Sequence, residues 1–589
     1  MKKKFIFIFL IILILLSSVS CQKKGDVKQD NYDRFAVATD IHILANSLLN
    51  EDNIDYYQTT DKMLHLSESI FDTMVSQLIE GKYKFLLLAG DLTERGDRVS
   101  HLCVTSKLKK LEDAGVEVYV INGNHDVMSN DARKDYSVTQ AEFKELYMDY
   151  GYDEASSVLP GTLCYSADIQ NKFRLIALDN IAYYADATQE NMIPEVTDEK
   201  IQWVIHQAED SKEKNLIPIL LSHKGFMNHW PGIVSLISES VPEEYSYLPQ
   251  SLLWNGANLG FVGHNHLNDV MSYENSAGEK YYEVQTGSTL FCESNYRSVS
   301  YSDENIEINT VTLDHIDCST ISPYVSEDIV NAVKADFPTY SYKHFSQKIK
   351  STVQYNINKI FNKIDLGNET FKNLLKNDII YAAFSMPLYK KDADGEKCLE
   401  QILEGYNVTL PQTDYKTFWD IVPKIVSNLV KGNEDLRSSS EIVISKYVAY
   451  SVFVLFNDKA DGIALLSKDN NKINIDLDKL FTEGVLECYE SNLVPAIASI
   501  ALNSNIGIKW QVLFTSIKSN FNTITTFSDT IESLTKGNIT SIGDYFGTYT
   551  VELEKLLEKG FFDQYVKDLL TDHAPDDRTL TINVRHEEN

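Results

Sequence analysis

Seven side chains suited to binding transition metals follow short apolar runs in the first half of the chain. They are Asp40, His42, Asp91, Asn124, His223, His264 and His266. Two carboxylates, one amide and four imidazoles, with no thiolate, suit Mn²⁺, Fe or Zn²⁺ better than Ca²⁺ or Mg²⁺ alone. One transition metal takes fewer ligands than this from a protein, so the set predicts two divalent metal ions that share a carboxylate. Paired ions of this kind clamp the attacking and leaving oxygens of a phosphoryl displacement.

These side chains must be brought together by the strands that they follow. Five apolar runs are typical of buried strands. They are residues 35–39, 85–89, 116–121, 217–221 and 259–262. Amphipathic stretches at 61–80 and 99–113 predict helices between the first three runs, which indicates βαβ units. The carboxyl ends of strands in an α/β sheet line the ligand crevice, so residues as distant as Asp40 and His266 are expected to converge.

Glycines stand at three of these strand ends. Gly90, Gly123 and Gly263 each precede a candidate ligand directly. A residue without Cβ permits a tight turn, so we expect these glycines to let the following side chains reach the crevice.

The five motifs, in order, resemble the calcineurin-like metallophosphoesterase superfamily. They are Asp-x-His at 40–42, Gly-Asp-x-x-Glu at 90–94, Gly-Asn-His-Asp at 123–126, a lone His223 and Gly-His-x-His at 263–266. The resemblance covers residues 33–317 and implies an α/β fold, a four-layer α/β/β/α sandwich. The Gly-Asp-Leu-Thr form of the second motif, with the third motif, is similar to the cyclic-nucleotide phosphodiesterase branch.

The resemblance also implies a role for each motif residue. Asp40, His42 and His266 would bind the first metal ion, Asn124, His223 and His264 would bind the second, and Asp91 would bridge both. A hydroxide between the ions would attack phosphorus in line. His125 would contact the phosphate and protonate the leaving oxygen, because an imidazole titrates near working pH. Asp126, next to it, is expected to orient that ring through a hydrogen bond.

The motif set predicts an enzyme, a metallophosphoesterase. More specifically, it predicts a dinuclear phosphodiesterase that acts on a small phosphorylated substrate. A phosphomonoesterase of the same fold remains open, because His125 would serve both reactions. A non-catalytic, surface-binding lipoprotein is the alternative from another class, and it would be expected to carry a damaged motif. The formal net charge of −31 would repel a phosphate backbone, so no extended nucleic-acid binding is expected.

Residues 1–20 are predicted to be a lipoprotein signal peptide. Three lysines at 2–4 precede an apolar run at 5–16, which is too short to span a bilayer, and small residues precede Cys21. Ser18 stands where that pattern prefers Leu, so a simple secretory signal is the alternative. Cys21 would carry the lipid, and residues 21–32 would form a tether. The protein is therefore expected to be exported and lipid-anchored to the outer face of a bacterial cell membrane.

The second half of the chain has a different pattern of apolar residues. Residues 318–589 predict a mostly α-helical C-terminal domain of undetermined role, because apolar residues recur there with helical period. The stretches are 327–337, 341–363, 369–385, 416–431, 441–457 and 550–570. The charged tail at 573–589 is expected to be frayed.

Several polar residues near the motifs are interpreted as accessory. Glu94 is expected to hydrogen-bond Arg95 or the turn backbone and not to bind metal. His101 and His206 have no motif around them and are expected at the surface. His229 follows His223 closely enough to be a candidate for the wall of the substrate pocket.

Overall fold

The computed structural model describes residues 33–129, 136–184, 192–227, 229, 245–363, 373–432, 439–458 and 576–583. The signal peptide, Cys21, the tether and the predicted helix at 550–570 lie outside the described residues. The described chain divides into two compact units. The α/β unit holds described residues within 33–351, 426–432 and 576–583, and the helical unit holds those within 352–425 and 439–458.

Fifteen strands occur in the described residues, and those within the apolar runs confirm the predictions. The strands are β1 (Asp33–Ala38), β2 (Phe85–Ala89), β3 (Glu117–Ile121), β4 (Ser157–Val158), β5 (Tyr165–Ile169), β6 (Phe173–Leu178), β7 (Tyr183–Tyr184), β8 (Met192–Ile193), β9 (Ile217–Ser222), β10 (Leu259–Val262), β11 (Asp269–Glu274), β12 (Lys280–Gln285), β13 (Asn295–Tyr301), β14 (Asn305–Thr312) and β15 (Thr579–Asn583).

Two large sheets are built from these strands. The first has the order β15-β14-β13-β1-β2-β3, with β1, β2 and β3 parallel. The second has the order β11-β12-β10-β9-β6-β5-β4, in which β6, β9, β10 and β12 are parallel. Strands β5 and β6 form an antiparallel hairpin, and β7 with β8 forms a small separate ribbon. Each large sheet therefore presents a group of parallel strands whose carboxyl ends point the same way.

Aromatic side chains fill the space between the two sheets. Phe35 of β1 stacks on Phe85 of β2 with ring centroids 4.4 Å apart. Phe173 of β6 meets both rings edge-on at 5.7 and 6.0 Å, and Phe261 of β10 meets Phe35 at 6.1 Å. All four are fully buried, and burial of one Phe side chain stabilises a fold by about 1.5–3 kcal/mol. The sheets therefore pack face to face over one core.

Seven α-helices lie wholly within the described residues 33–336 of the α/β unit. They are α1 (Ile54–Tyr57), α2 (Ser67–Glu80), α3 (Arg98–Asp113), α4 (Gln140–Leu146), α5 (Asp198–Glu213), α6 (Leu248–Trp254) and α7 (Glu327–Ala335). α2 and α3 contribute to the core of the first sheet, and α5 and α6 bury a second cluster with Ile176 of β6 and Leu220 of β9. The arrangement confirms the predicted α/β/β/α layers.

Local sequence explains where these helices begin. Asp97 caps α3 because its Oδ1 accepts the backbone N–H of Ser100 at 2.9 Å, and the side chain of Thr197 likewise accepts from Lys200 at the start of α5. The prediction of a helix from residue 61 was wrong at its start. Residues Leu64–Leu66 form a 3₁₀ turn, and the α-helix begins at Ser67.

The described helices of the second half largely confirm the helical prediction. They are α8 (Phe337–Lys363), α9 (Ala382–Ser385), α10 (Leu399–Glu404), α11 (Phe418–Lys431) and α12 (Ser440–Asp458), with a π-helical segment at Leu374–Tyr381. Within the helical unit, Phe384 packs on Phe418 and Trp419 with centroids 4.7 and 5.1 Å apart. Among the described helices, none combines the length and apolar character needed to cross a bilayer.

The prediction of a frayed tail was wrong at residues 579–583. This segment is β15, which pairs antiparallel with β14 and extends the first sheet. Leu580 and Ile582 are buried while Thr579 and Thr581 are more accessible, so the strand has one apolar and one polar face. The last described residues of the chain therefore belong to the α/β unit, because burial of two apolar side chains and a ladder of backbone hydrogen bonds fix them there.

Candidate metal centre

The candidate ligands lie directly after the parallel strands. Asp40 and His42 follow β1, Asp91 follows β2 and Asn124 follows β3, whereas the remaining three histidines follow β9 and β10. Backbone hydrogen bonds join neighbouring strand ends. Asp40 N–H donates to Gly90 O at 3.0 Å, and Gly263 N–H donates to the carbonyl after β9 at 2.9 Å. The two sheets thus deliver all seven side chains to one place.

The first group consists of four donors, Asp40, His42, Asp91 and His266, all within 4.8 Å of one another. His42 Nε2 lies 3.0 Å from His266 Nε2, and His266 Nε2 lies 3.2 Å from Asp40 Oδ1. Donor atoms that share one ion at about 2.0–2.2 Å lie roughly 3–3.5 Å apart. The spacing therefore suits adjacent ligands of a single cation.

The second group forms around Asn124. Its Oδ1 lies 3.1 Å from His223 Nε2 and 3.1 Å from His264 Nδ1. His223 Nδ1 donates to Ala89 O at 2.8 Å, which turns Nε2 toward the group. The structure therefore brings together the three side chains that the family resemblance assigned to the second ion.

Asp91 lies between the groups. Its Oδ2 is 3.7 Å from His42 Nε2 and 3.4 Å from His223 Nε2, while its Oδ1 accepts the backbone N–H of His125 at 2.8 Å. One carboxylate oxygen therefore faces both groups, and the other is bound to the turn after β3.

The backbone at the centre is strained in a way typical of functional sites. Five of the seven ligands are non-glycine residues with positive φ. They are Asp40 (51°), His42 (40°), Asp91 (50°), His264 (73°) and His266 (57°).

Close packing explains the glycines that precede the ligands. A Cβ on Gly90, whose φ is +87°, would lie 2.7 Å from His223 Nδ1, and one on Gly263 would lie 2.6 Å from Asp40 Oδ2. A Cβ on Gly123 would overlap Asp91 directly. The predicted role of these glycines is therefore confirmed, because a methyl group at any of the three would displace a ligand.

One buried carboxylate oxygen at the centre lacks a hydrogen-bond donor. Asp40 Oδ1 is buried and has no hydrogen-bond partner among the described residues. Burial alone would raise the pKa of Asp40, but His266 and His223 together lower it more, so the carboxyl stays ionised. Burial and the nearby His223 lower the pKa of His264 to about 3, which keeps that imidazole neutral. Burial lowers the pKa of His223, but Asp91 and Asp40 together raise it more, to about 9, so this imidazole would release its proton when a cation binds. Ionised carboxylates and neutral imidazoles are the forms that bind metal, so the donor set fits divalent cations.

His125 lies beside the first group. Its ring meets that of His42 edge-on with centroids 4.9 Å apart. His125 Nδ1 lies 2.7 Å from the backbone O of Glu94, and a carbonyl can only accept, so Nδ1 carries a proton. Nε2 is therefore the ring nitrogen that does not face the Glu94 carbonyl.

The predicted role of Asp126 was wrong. Its carboxylate does not bind the ring of His125. Instead, Oδ2 accepts the backbone N–H groups of Leu92 and Gly123 at 3.0 and 2.9 Å, and Oδ1 accepts that of Thr93 at 2.8 Å. The reason is geometric, because the turn places the side chain of Asp126 inward over the loop after β2. The backbone carbonyl of Glu94 orients His125 instead.

The interpretation of Glu94 was also wrong. Its Oε2 lies 3.0 Å from His42 Nδ1 and 2.6 Å from Lys62 Nζ, and its side chain does not bind Arg95. The Lys62 side chain is about nine-tenths buried, and although burial lowers its pKa, the carboxylates of Glu94, Asp61 and Asp91 together raise it more, so the ammonium stays charged. Glu94 thus supports His42 from behind and neutralises a buried lysine. Nothing in the sequence signalled Lys62, because it stands outside every motif.

The three remaining histidines near the motifs differ in their exposure to solvent. His206 is exposed as predicted, but His101 is fully buried, with Nδ1 2.8 Å from the hydroxyl of Tyr147 and Nε2 2.8 Å from Asp126 O. His229 is buried between two carboxylates, with Nδ1 2.5 Å from Asp269 and Nε2 3.0 Å from Glu283. Since both ring nitrogens of His229 are engaged, this side chain fixes the loop after β9.

Comparison with known protein families gives one match in the first half of the chain. The model of the family described as calcineurin-like phosphoesterase matches residues 33–268. No curated protein sequence matches the chain.

Solved structures with low sequence identity are similar to about half of the chain. A dimetal phosphatase from Danio rerio is 12% identical, over 48% of this chain and 97% of its own, with a TM-score of 0.34. A purple acid phosphatase from yellow lupin seeds is 13% identical, over 48% of this chain and 52% of its own, with a TM-score of 0.32. A protein from Thermus thermophilus is 11% identical, over 48% of this chain and 99% of its own, with a TM-score of 0.28.

The family match spans all five motifs, from the strand before Asp40 to the loop after His266. The chain therefore carries a calcineurin-like phosphoesterase domain over residues 33–268 and is a phosphoester hydrolase.

Proposed function

We propose that the α/β unit is a dinuclear phosphodiesterase. The observation that carries this proposal is the position of Asp91, whose Oδ2 faces His42 of the first group and His223 of the second. A carboxylate shared in this way is what two neighbouring ions require. Asp40, His42 and His266 would hold one ion, and Asn124, His223 and His264 would hold the other.

The chain's own residues prepare this site for hydrolysis. Two bound Mn²⁺, Fe²⁺ or Zn²⁺ ions would supply Lewis acidity and lower the pKa of water near the phosphorus. His125 stands at the edge of the centre with Nδ1 fixed, so Nε2 would give a proton to the leaving oxygen. Glu94 holds the imidazole of His42 from behind.

Charge balance supports a diester over a monoester. Three cationic side chains near the centre are already within ion-pair distance of carboxylates. Lys62 lies 2.6 Å from Glu94, Lys224 lies 3.0 Å from Glu195, and Arg95 Nε lies 3.5 Å from Asp97. A dianionic monoester would need more positive charge that is not already paired with a carboxylate. A singly charged diester would need less of this positive charge. The Gly-Asp-Leu-Thr form of the second motif supports a cyclic-nucleotide-like substrate among small diesters.

The place of action follows from the predicted N-terminal segment. A lipid on Cys21 would hold the enzyme at the outer face of the membrane, where it would meet small extracellular phosphodiesters. Labelling of the intact chain with a radioactive fatty acid, compared with a Cys21→Ser variant, tests this placement. Equal labelling of both would refute it.

The assay that tests the activity uses the chain from residue 22 to 589. The protein is stripped of metal and then supplied with Mn²⁺, Fe²⁺ or Zn²⁺, and bis-p-nitrophenyl phosphate and p-nitrophenyl phosphate are compared. We expect metal-dependent cleavage that is faster on the diester. Faster cleavage of the monoester would favour a phosphomonoesterase, and the absence of cleavage by metal-loaded protein would refute the proposed substrate class.

A further inference from the structure

The loop between β10 and β11 carries two candidate ligands, His264 and His266, and it is held by distant parts of the chain. The middle segment, residues 426–432, and the C-terminal segment, residues 576–583, both belong to the α/β unit. Neither lies within the residues that match the family model. Their contacts with this loop are therefore a feature of this chain beyond the family match.

The middle segment binds the end of the loop, and the C-terminal segment binds the start of β11, which follows it. The N–H of Asn268 donates to Val430 O at 2.9 Å, and the N–H of Val270 donates to Asp577 Oδ1 at 2.8 Å. Asn268 and Asp577 are almost fully buried. The backbone donors of Asn268, at the end of the loop, and of Val270, in β11, would therefore be left without these partners, away from water, if the segments were displaced.

The three pieces of chain meet closely. Gly432 has φ of +65°, and a Cβ there would lie 2.8 Å from Asn268 O and 2.7 Å from Asp577 Cβ. Only a residue without a side chain fits at this point. The middle segment, the C-terminal segment and the loop are therefore closely packed against one another at Gly432.

A buried arginine forms a second path from the C-terminal segment to the loop. Arg297 is fully buried, and its Nη1 donates to Asp577 O at 2.6 Å while its Nη2 donates to Gln285 O at 2.6 Å. The side chain of Gln285 in turn accepts from Asn265 Nδ2 at 3.1 Å. Asn265 stands between the two candidate ligands of the loop, so this path ends at the metal centre.

A third path runs through Glu293. Lys431 and Arg578 both lie against its carboxylate, at 3.1 and 3.2 Å. The same stretch of chain contains Ser288, which donates to Asp40 O at 2.6 Å, and Phe291, whose ring meets His266 with centroids 4.9 Å apart. Residues from both segments thus fix a stretch that touches two ligands of the first group.

We propose that the middle and C-terminal segments are positioning elements of the metal centre, with Asp577 as the principal positioning residue. They act through backbone and side-chain contacts on the loop that carries His264 and His266. This inference rests on the metal centre proposed above. It makes metal binding by residues 33–268 dependent on residues up to about 300 positions further along the chain.

The test measures binding of Mn²⁺ to metal-free protein by titration calorimetry, using the full chain from residue 22. Asp577→Ala removes the acceptor for Val270 N–H, and we expect Mn²⁺ affinity to fall at least about tenfold. Asp577→Asn keeps an oxygen at that position and should recover most of the affinity. Thr581→Ala, on the polar face of β15, is the matched control and should bind Mn²⁺ as the parent does.

Folding is checked by circular dichroism, and a second variant covers the case in which Asp577→Ala does not fold. Arg578→Met removes the contacts with Glu293 and Lys431 O, and we expect about threefold weaker binding. Folded variants at both positions with the parent's affinity would overturn the positioning role while leaving the metal centre intact. A parent protein that binds no Mn²⁺, Fe²⁺ or Zn²⁺ would overturn the metal centre itself.

Discussion

Replacement of Asp126 by Asn separates two roles that the sequence could not distinguish. Asp126 is fully buried and accepts three backbone N–H groups, those of Leu92, Thr93 and Gly123. Two of these belong to the loop that follows Asp91, and the third belongs to the residue that precedes Asn124. An asparagine has a single acceptor oxygen and an amide group that donates, so it cannot accept all three.

The magnitude follows from counting these bonds. One N–H is left facing another donor, which costs about 1–3 kcal/mol, and each of the other two bonds loses the benefit of a charged acceptor, about 1 kcal/mol. A total of about 3–5 kcal/mol corresponds to a fall in Tm of roughly 6–20 °C. Because the loops carry Asp91 and Asn124, we also expect the variant to retain less metal.

The assay combines thermal unfolding, metal analysis and turnover. Burial and the nearby Asp91 raise the pKa of Asp126 to about 7, so the measurement is made at about pH 8, where the parent carboxyl is ionised. His125→Ala is the matched control, and it should lose turnover while keeping both ions and its Tm. If Asp126→Asn keeps the parent's Tm and metal content and loses only turnover, the carboxylate acts on His125 and the reasoning here is refuted.

Three further predictions concern neighbouring groups. Asp91→Ala should reduce bound metal at both positions, because one carboxylate oxygen faces both ligand groups; full occupancy by metal analysis would contradict this. Glu94→Gln leaves buried Lys62 without its ion pair and should lower the free energy of unfolding by about 2–3 kcal/mol in urea titrations, whereas Lys62→Met with Glu94→Gln should recover most of it. Burial lowers the pKa of His229, but Asp269 and Glu283 raise it more, to about 9. The resulting stability is complete below about pH 6.5 and is lost as pH rises through about 9; His229→Gln should flatten this dependence in thermal melts.

The sequence predicted which side chains would converge, because each candidate ligand follows a buried strand. Apolar runs specify parallel strands, and parallel strands bring their carboxyl ends to one edge. The positions of Asp40 and His266 needed no further information. The role of the glycines could be predicted equally well, because a side chain packed against a turn leaves no room for a Cβ.

The direction in which a side chain points within a turn could not be predicted from the sequence. Asp126 follows His125 directly, yet the turn directs its carboxylate to the backbone of another loop. Glu94 was predicted to hydrogen-bond Arg95 or the turn backbone, but its partner Lys62 comes from a stretch without any motif. His101 lay in a polar helical pattern and is buried because Tyr147 and Asp126 O supply both hydrogen bonds.

The C-terminal strand did leave a signal in the sequence. Residues 579–583 read Thr-Leu-Thr-Ile-Asn, an alternation of polar and apolar side chains that is typical of a strand with one buried face. Charged residues on both sides obscured it. Its partner strand, which ends at Thr312, is far away in sequence, and no local pattern indicates such pairing.

This pairing sets the order in which the fold can be completed. β15 is synthesised more than 260 residues after the end of β14. Until it emerges, β14 is an open edge strand with unpaired N–H and C=O groups, the kind of surface through which chains aggregate. β15 closes that edge with a short strand whose outward side chains include two threonines. A chain that stops early, or is cut before residue 576, would therefore expose a sheet edge prone to aggregation at the same time as it loses Asp577.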